Sequence, residues 1–224
     1  MNSNQEGGRE WLLGRLEVEP LTAERWPAFE QFFSAQSPVK NCWCMWWRRT
    51  GDEFEKGRGA GNRKALQALA ETGPPPGLVA YLDGEPIGWC SLGPREDYGR
   101  LQRSRALAPV DDQPVWSIVC FFVHPKHRSR GVAEAMLAAA TVYAREHGAS
   151  LLEAYPRDRG PHRQDDESVF TGPMPLYMRG AGFHEVARRN PERPILRLSL
   201  TDANAFESPA DTGAGQPSEA TPDG

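Results

Sequence analysis

The segment Phe121–Leu137 reads FFVHPKHRSRGVAEAML: an apolar run, then a cluster of cations, then a glycine at the start of a helical pattern. Glycine at such a junction lets a ligand come close to the backbone. The first N–H groups of the following helix have no partner within it, and the positive end of the helix dipole stands behind them. Lys126, Arg128 and Arg130 add positive side chains. Residues of these types in this order make an anion site of pyrophosphate size. They do not make a Walker A loop, because no Gly-Lys-Ser/Thr follows. Nor do they make a dinucleotide fingerprint, because there is one glycine rather than three.

Cys42, Cys44, Cys90, Cys120, His124 and His127 are all residue types that bind zinc. The Cys42-x-Cys44 spacing does not match a Cys-x-x-Cys knuckle, and Cys90 and Cys120 lie in apolar stretches where cysteine acts as a small hydrophobe. No metal is expected.

The elements that must position these residues follow from the pattern. Leu16–Glu19 alternates as a short strand, and Thr22 can cap a helix carrying Trp26, Phe29, Phe32 and Phe33 on one face. Residues 36–60, rich in Trp, Cys, Arg and Gly, show no period and are expected to be irregular. Asn62–Glu71 reads as a short helix stopped by Gly73 and Pro74–Pro76. Gly77–Leu82 and Pro86–Leu92 flank Asp83-Gly84 as a hairpin, and a loop with Arg95–Tyr98 follows. Val115–Val123 is apolar on both faces, as in the middle of a covered sheet.

Gly131–His147 has a helical stripe of Val132, Met136, Ala140, Tyr143 and Ala144, with Gly148 placed to end it. Leu151–Tyr155 is a strand, and Pro156–Ser168 a charged loop. A short helix near Met174–Arg179 precedes two strands, Phe183–Arg189 and Pro194–Leu200. The order is β-α-α-β-β-β-α-β-α-β-β, a mixed α/β sheet in one domain over residues 15–200. Residues 1–14 read as a leader and 201–224 as a disordered acidic tail.

Of 224 residues, 26 are basic and 30 acidic, and 39% are hydrophobic, enough to fill a core. Five of the acids lie in residues 201–224, which hold no Lys or Arg, so the remaining body has a formal charge of +1. A near-neutral body argues against a broad nucleic-acid surface. The longest mostly apolar run, Val115–Val123, is about half of the ~20 residues a bilayer requires. The polar N-terminus lacks a secretory signal, so a cytoplasmic location with reduced cysteines is expected.

The cation-glycine segment resembles the acetyl-CoA motif of the GNAT superfamily of acyl-CoA N-acyltransferases, Arg/Gln-x-x-Gly-x-Gly/Ala after a strand ending near Val-x-Pro. The match is Arg128-x-x-Gly131-x-Ala133, preceded by Val123-His124-Pro125. The stretch Leu176–Phe183, LYMRGAGF, is similar to the family's Leu-Tyr-x-x-x-Gly-Phe junction with one extra residue. The element order follows the family from about Arg15 to Leu200.

The resemblance implies a GNAT-like fold and an N-acetyltransferase. Such an enzyme moves an acetyl group from acetyl-CoA to a primary amine of a small molecule or peptide by direct attack. A non-catalytic acyl-CoA-binding regulatory module of the same fold is the alternative. By resemblance, backbone groups of Phe121, Phe122 and Val123 hold the acetyl carbonyl and the pantetheine arm. The N–H groups of Arg128, Ser129, Arg130, Gly131, Val132, Ala133 and Glu134 cradle the pyrophosphate, and Tyr177 protonates the leaving thiolate; the other reading of Tyr177 is a packing aromatic with its hydroxyl at the surface.

Many members carry a carboxylate or histidine on the strand before the motif, where this chain offers only Ser117 and Cys120. Glu153 is the nearest acid on an adjacent element and the candidate base, with a water relay as the other route. The family also places the segment between the first two helices over the acceptor pocket. Trp46, Trp47 and Arg48 would then form an aromatic wall with a guanidinium for an anionic group, joined by Arg95. The other reading of Asn41–Arg49 is a buried aromatic cluster that pins a loop.

Overall fold

The structure, a computed structural model, describes residues 14–37, 39–158, 171–172, 174–178 and 181–201. The expected leader up to Leu13, most of the charged loop, Arg179, Gly180 and the tail beyond Thr201 lie outside them. The elements are β1 (Leu16–Pro20), α1 (Trp26–Ser34), α2 (Gly51–Lys56), α3 (Ala60–Thr72), β2 (Gly77–Leu82), β3 (Glu85–Pro94), α4 (Gly99–Arg103) and β4 (Trp116–Val123). They continue with α5 (Val132–Glu146), β5 (Leu151–Ala154), α6 (Met174–Met178), β6 (His184–Asn190) and β7 (Arg193–Ser199). Among the described residues, no helix is long and apolar enough to cross a membrane.

The seven strands form one sheet in the order β1-β2-β3-β4-β5-β7-β6. β4 and β5 are parallel and every other pair is antiparallel. The parallel pair requires a crossover, which α5 supplies. At the β2–β3 hairpin, Asp83 (φ 54°) and Gly84 (φ 81°) both take the left-handed conformation that a tight two-residue turn demands.

The expected mixed sheet is present, with differences at short elements. Two helices stand where irregular chain is expected. One of them, α2, is announced by a capping box: Glu53 N–H donates to Thr50 Oγ1 at 3.3 Å, and Thr50 N–H donates to Glu53 Oε2 at 2.9 Å. Thr22 does not cap α1; the cap position is Arg25, without a side-chain bond, and Pro27 supports the first turn.

Both faces of β4 are covered. On one, Ile118 and Phe121 pack with Val132, Met136 and Ala140 of α5 and Leu176 and Tyr177 of α6. On the other, Phe122 joins Phe29 and Phe33 of α1, Trp43, and Trp89 of β3. Ring centroids there lie 4.7 Å apart for Phe29–Phe33 and 4.9 Å for Phe29–Trp89. Gly88 lets α5 press onto the sheet, since a Cβ added to it would stand 2.7 Å from Met136 Sδ and 3.3 Å from the Phe122 carbonyl. Gly88→Val is therefore expected to destabilise the protein by about 1–3 kcal/mol through overpacking. A urea midpoint equal to that of the parent would show that α5 does not press there.

Candidate functional site

The site begins where two strands part. β4 and β5 pair only at Trp116↔Leu152, Ser117↔Glu153 and Ile118↔Ala154, whereas β4 continues to Val123. Beyond β5 the chain turns to the β6–β7 hairpin, with Asp158 N–H donating to Glu192 O at 2.8 Å. From Val119 onward β4 has β3 on one edge and no described strand on the other. Val119 is also the extra residue of a bulge, since Ser91 pairs with Cys120 and Leu92 with Ile118.

His124 N–H donates to Ile87 O at 2.8 Å, which fixes the phase of the ladder. Hydrogen-bonded pairs then fall at Phe122 and Cys120, so Phe121 and Val123 turn their N–H and C=O groups to the edge that has no described strand. Arg128 Nε donates to one of these, Val123 O, at 3.0 Å.

The strand leads directly into the candidate anion site. Pro125–His127 forms a 3₁₀ turn, Ser129 takes φ 58°, and Gly131 takes φ 85° at the cap of α5 with no side chain bonded there. The N–H groups of Val132, Ala133 and Glu134 fall in the first turn, which finds no partner inside a helix. Burial, then Lys126 and Arg128, hold the His124 imidazole below its usual value. Burial, then His124, Arg130 and Lys126, do the same for His127. The positive charge near neutral pH is therefore that of Lys126, Arg128 and Arg130. Backbone donors, a cap without a Cβ and local cations are what a diphosphate requires, so the residues present fit coenzyme A.

Tyr177 is fully buried, and its hydroxyl donates to Thr171 O at 2.7 Å. Its ring meets Phe121 of β4 edge-on at 6.3 Å and Phe183 at 5.4 Å. Burial pushes the phenol well above its usual value, with Cys90 and Cys120 adding to the shift, so it keeps its proton at neutral pH.

Glu153 is buried in a polar network at the fork. Its Oε1 accepts from Arg197 Nε and Nη2 at 3.1 and 2.7 Å, and its Oε2 accepts from the Tyr155 hydroxyl at 2.8 Å. With the phenol proton committed, Ser117 Oγ at 2.9 Å and Arg95 Nη1 at 2.8 Å both donate to Tyr155. Arg197 also donates from Nη1 to Asp111 Oδ2 at 2.6 Å, so it is shared between two carboxylates.

The segment Asn41–Arg49 divides. Trp43, Cys44 and Met45 are buried against β3 and β4, where Trp89 Nε1 donates to Cys44 Sγ at 3.1 Å and Cys120 Sγ lies 2.8 Å from it. Trp46 is 41% exposed and carries the Arg100 guanidinium 3.5 Å above its ring, while Arg193 lies over Trp47 at 5.4 Å. Arg48 lies over the Tyr98 ring at 4.6 Å and donates to Asp97 Oδ2 at 3.3 Å. Arg95 is not beside it. Its Nη2 donates inward to Leu101 O at 3.2 Å and Leu107 O at 2.5 Å, pinning the chain after β3.

Sequence reasoning missed Tyr155, Arg197 and Tyr98. Alternation along β5 puts Tyr155 on the face of Glu153, a readable signal, whereas Arg197 meets Glu153 only through the β5–β7 register.

The model of the acetyltransferase (GNAT) family matches residues 22–162, more than half of the chain. The chain belongs to this family. It is an acyl-CoA-dependent N-acetyltransferase by class. No curated protein matches the sequence. Similar solved structures include the PaiA N-acetyltransferase from Thermoplasma acidophilum in complex with coenzyme A, at 13% identity and TM-score 0.47, covering 82% of this chain and 98% of that one. YncA from Salmonella typhimurium, a putative acetyltransferase solved with acetyl-CoA, is 16% identical with TM-score 0.43 over 87% of this chain and 99% of that one. The ribosomal-protein-S18-alanine N-acetyltransferase from Escherichia coli is 13% identical with TM-score 0.45, over 84% and 96%. The assignment rests on the family match and not on these structures.

Two outcomes are expected at this site. Gly131→Glu adds a carboxylate to the candidate anion site and strains a left-handed residue, so it should abolish coenzyme A binding by calorimetry. Retained affinity in the folded variant would remove the anion site from the helix start. Tyr155→Phe leaves Glu153 one donor short and Arg95 Nη1 without its hydrogen-bond acceptor, and should cost about 1–3 kcal/mol of stability. A cost near zero in a denaturant titration would show that the network does not hold the fork.

Proposed function

We propose that this enzyme transfers the acetyl group of acetyl-CoA to a primary amine of a small molecule or peptide by direct attack. The observation that carries this reading is the open edge of β4 running without interruption into the Gly131 turn. Acetyl-CoA supplies the activated acyl group as a thioester. The N–H and C=O groups of Phe121 and Val123 bind its extended arm as a neighbouring strand would, and the N–H groups from Arg128 to Glu134 bind its diphosphate. Donors on the β4 edge stabilise the negative charge that grows on the acetyl oxygen.

The amine must be neutral to attack, so its proton has to be removed. Glu153 is committed to Arg197 and Tyr155, which supports a water path for that proton and a holding role for Glu153 at the fork. Tyr177 stands behind Phe121 with its proton retained by burial. As it leaves Thr171 O it gives this proton to the departing sulfur, and the proton taken from the amine along the water path restores the phenol.

The test follows thiol release from acetyl-CoA across amino acids, polyamines, aminoglycosides and peptides. Turnover with at least one class is expected, and Tyr177→Phe should lower kcat by roughly 100-fold. Tight binding of acetyl-CoA with no turnover on any amine would overturn the reading in favour of a regulatory module. An unchanged kcat in Tyr177→Phe would remove that residue from the chemistry.

A further inference from the structure

Arg48, Arg49, Glu53, Lys56 and Gly57 line an open depression of about 530 Å³ beside the segment that covers β3 and β4. Its charges do not cancel. Glu53 is committed to the start of α2, accepting from Thr50 N–H at 2.9 Å and Thr50 Oγ1 at 2.8 Å. Arg49 bonds neutral acceptors, Asn62 Oδ1 at 3.0 Å and the Glu53 carbonyl at 3.4 Å. Lys56 makes no ion pair among the described residues. The Arg48 side chain is only 9% exposed, its Nε has no hydrogen-bond partner among the described residues, and its Asp97 contact of 3.3 Å is long for a charge-assisted bond.

Arg48, one of the lining residues, leads inward to buried groups, since Tyr98 is 0% and Ser91 1% exposed. Arg48 Nη2 lies 3.4 Å from the Tyr98 hydroxyl, which lies 3.4 Å from Ser91 Oγ. Both contacts are at the outer limit of hydrogen bonding, so the hydroxyl is weakly held. Ser91 pairs with Cys120, and Tyr98 shares a buried cluster with the bulge residue Val119. Burial pushes the Tyr98 phenol up to about 12, so it is a neutral hydroxyl at working pH.

We infer that the acceptor is an amine bearing an anionic group, a carboxylate or a phosphate. Arg48, Arg49 and Lys56 bind that group at the depression, on the Tyr98 side of β4. Polyamines and aminoglycosides, as polycations, meet like charge at this surface and are excluded. The inference rests on the acetyl-transfer reading and names the substrate class of the same site.

The experiment compares kcat/KM for amines that differ in one charge. Phenylalanine is paired with phenylalaninamide, β-alanine with β-alaninamide, and O-phosphoethanolamine with ethanolamine, with spermidine as the cationic probe. Amidation makes an α-amine easier to deprotonate, so chemistry alone favours the amides. A preference for the anionic member of at least one pair, of about tenfold or more, is the expected result. Which pair shows it separates carboxylate from phosphate. Lys56→Gln and Arg49→Gln should each shrink that preference severalfold through KM, and Lys56, on the rim, is the safer change for folding. Turnover that favours ethanolamine, the amides or spermidine would overturn the anionic acceptor and leave acetyl transfer standing. A preference that survives both variants unchanged would overturn the assignment of these residues. Acetyl-CoA binding with no thiol release from any probe would remove the transfer reading, and this inference with it.

Discussion

A buried strand can leave its backbone polar groups without a neighbouring strand only if something else satisfies them. β4 is in that position from Val119 to Val123, and the rest of the molecule follows from it. β3 holds one edge, α5 and α6 hold one face, and the aromatic cluster around Trp89 and Phe33 holds the other. Such packing makes the strand rigid. The N–H and C=O groups of Phe121 and Val123 then face an edge with no described strand, which is where the proposed acetyl-CoA arm would lie. Val123 O already accepts from Arg128 Nε, which ties the end of this edge to the turn that follows.

The opening is a fork because the chain around it is locked. Glu153, Tyr155, Arg95, Arg197 and Ser117 tie β4, β5, β7 and the chain after β3 together one residue before the strands part. A buried network of this kind contributes little net stability compared with apolar packing, yet breaking one member is costly. Its effect here is on geometry. It lies at the Ser117↔Glu153 pair, next to the last pair of the β4–β5 ladder. The left-handed turn at Gly131 then directs the first turn of α5 at the far end of the same path.

Local signals made much of this legible in sequence. β4 and α5 are long enough to show continuous apolarity or a helical stripe, and Asp83-Gly84 and Gly131 declare turns by their freedom at positive φ. Elements of five or six residues have no room for a period, so α2 was marked only by Thr50-x-x-Glu53 and α4 by nothing. The polar partners were harder. Arg197 reaches Glu153 across 44 residues through strand register, which one sequence does not state. Arg95 and Asp97 share one 3₁₀ turn, and residues two apart in such a turn face different ways. Asp97 therefore meets Arg48, while Arg95 turns inward to Tyr155.

Amide hydrogen exchange with and without acetyl-CoA tests the central claim most directly. Binding should slow exchange in two separate stretches, residues 119–124 at the open edge of β4 and residues 129–135 at the start of α5, and leave β1 unchanged. Saturating acetyl-CoA that protects neither stretch, or protects only a surface elsewhere, would contradict the account.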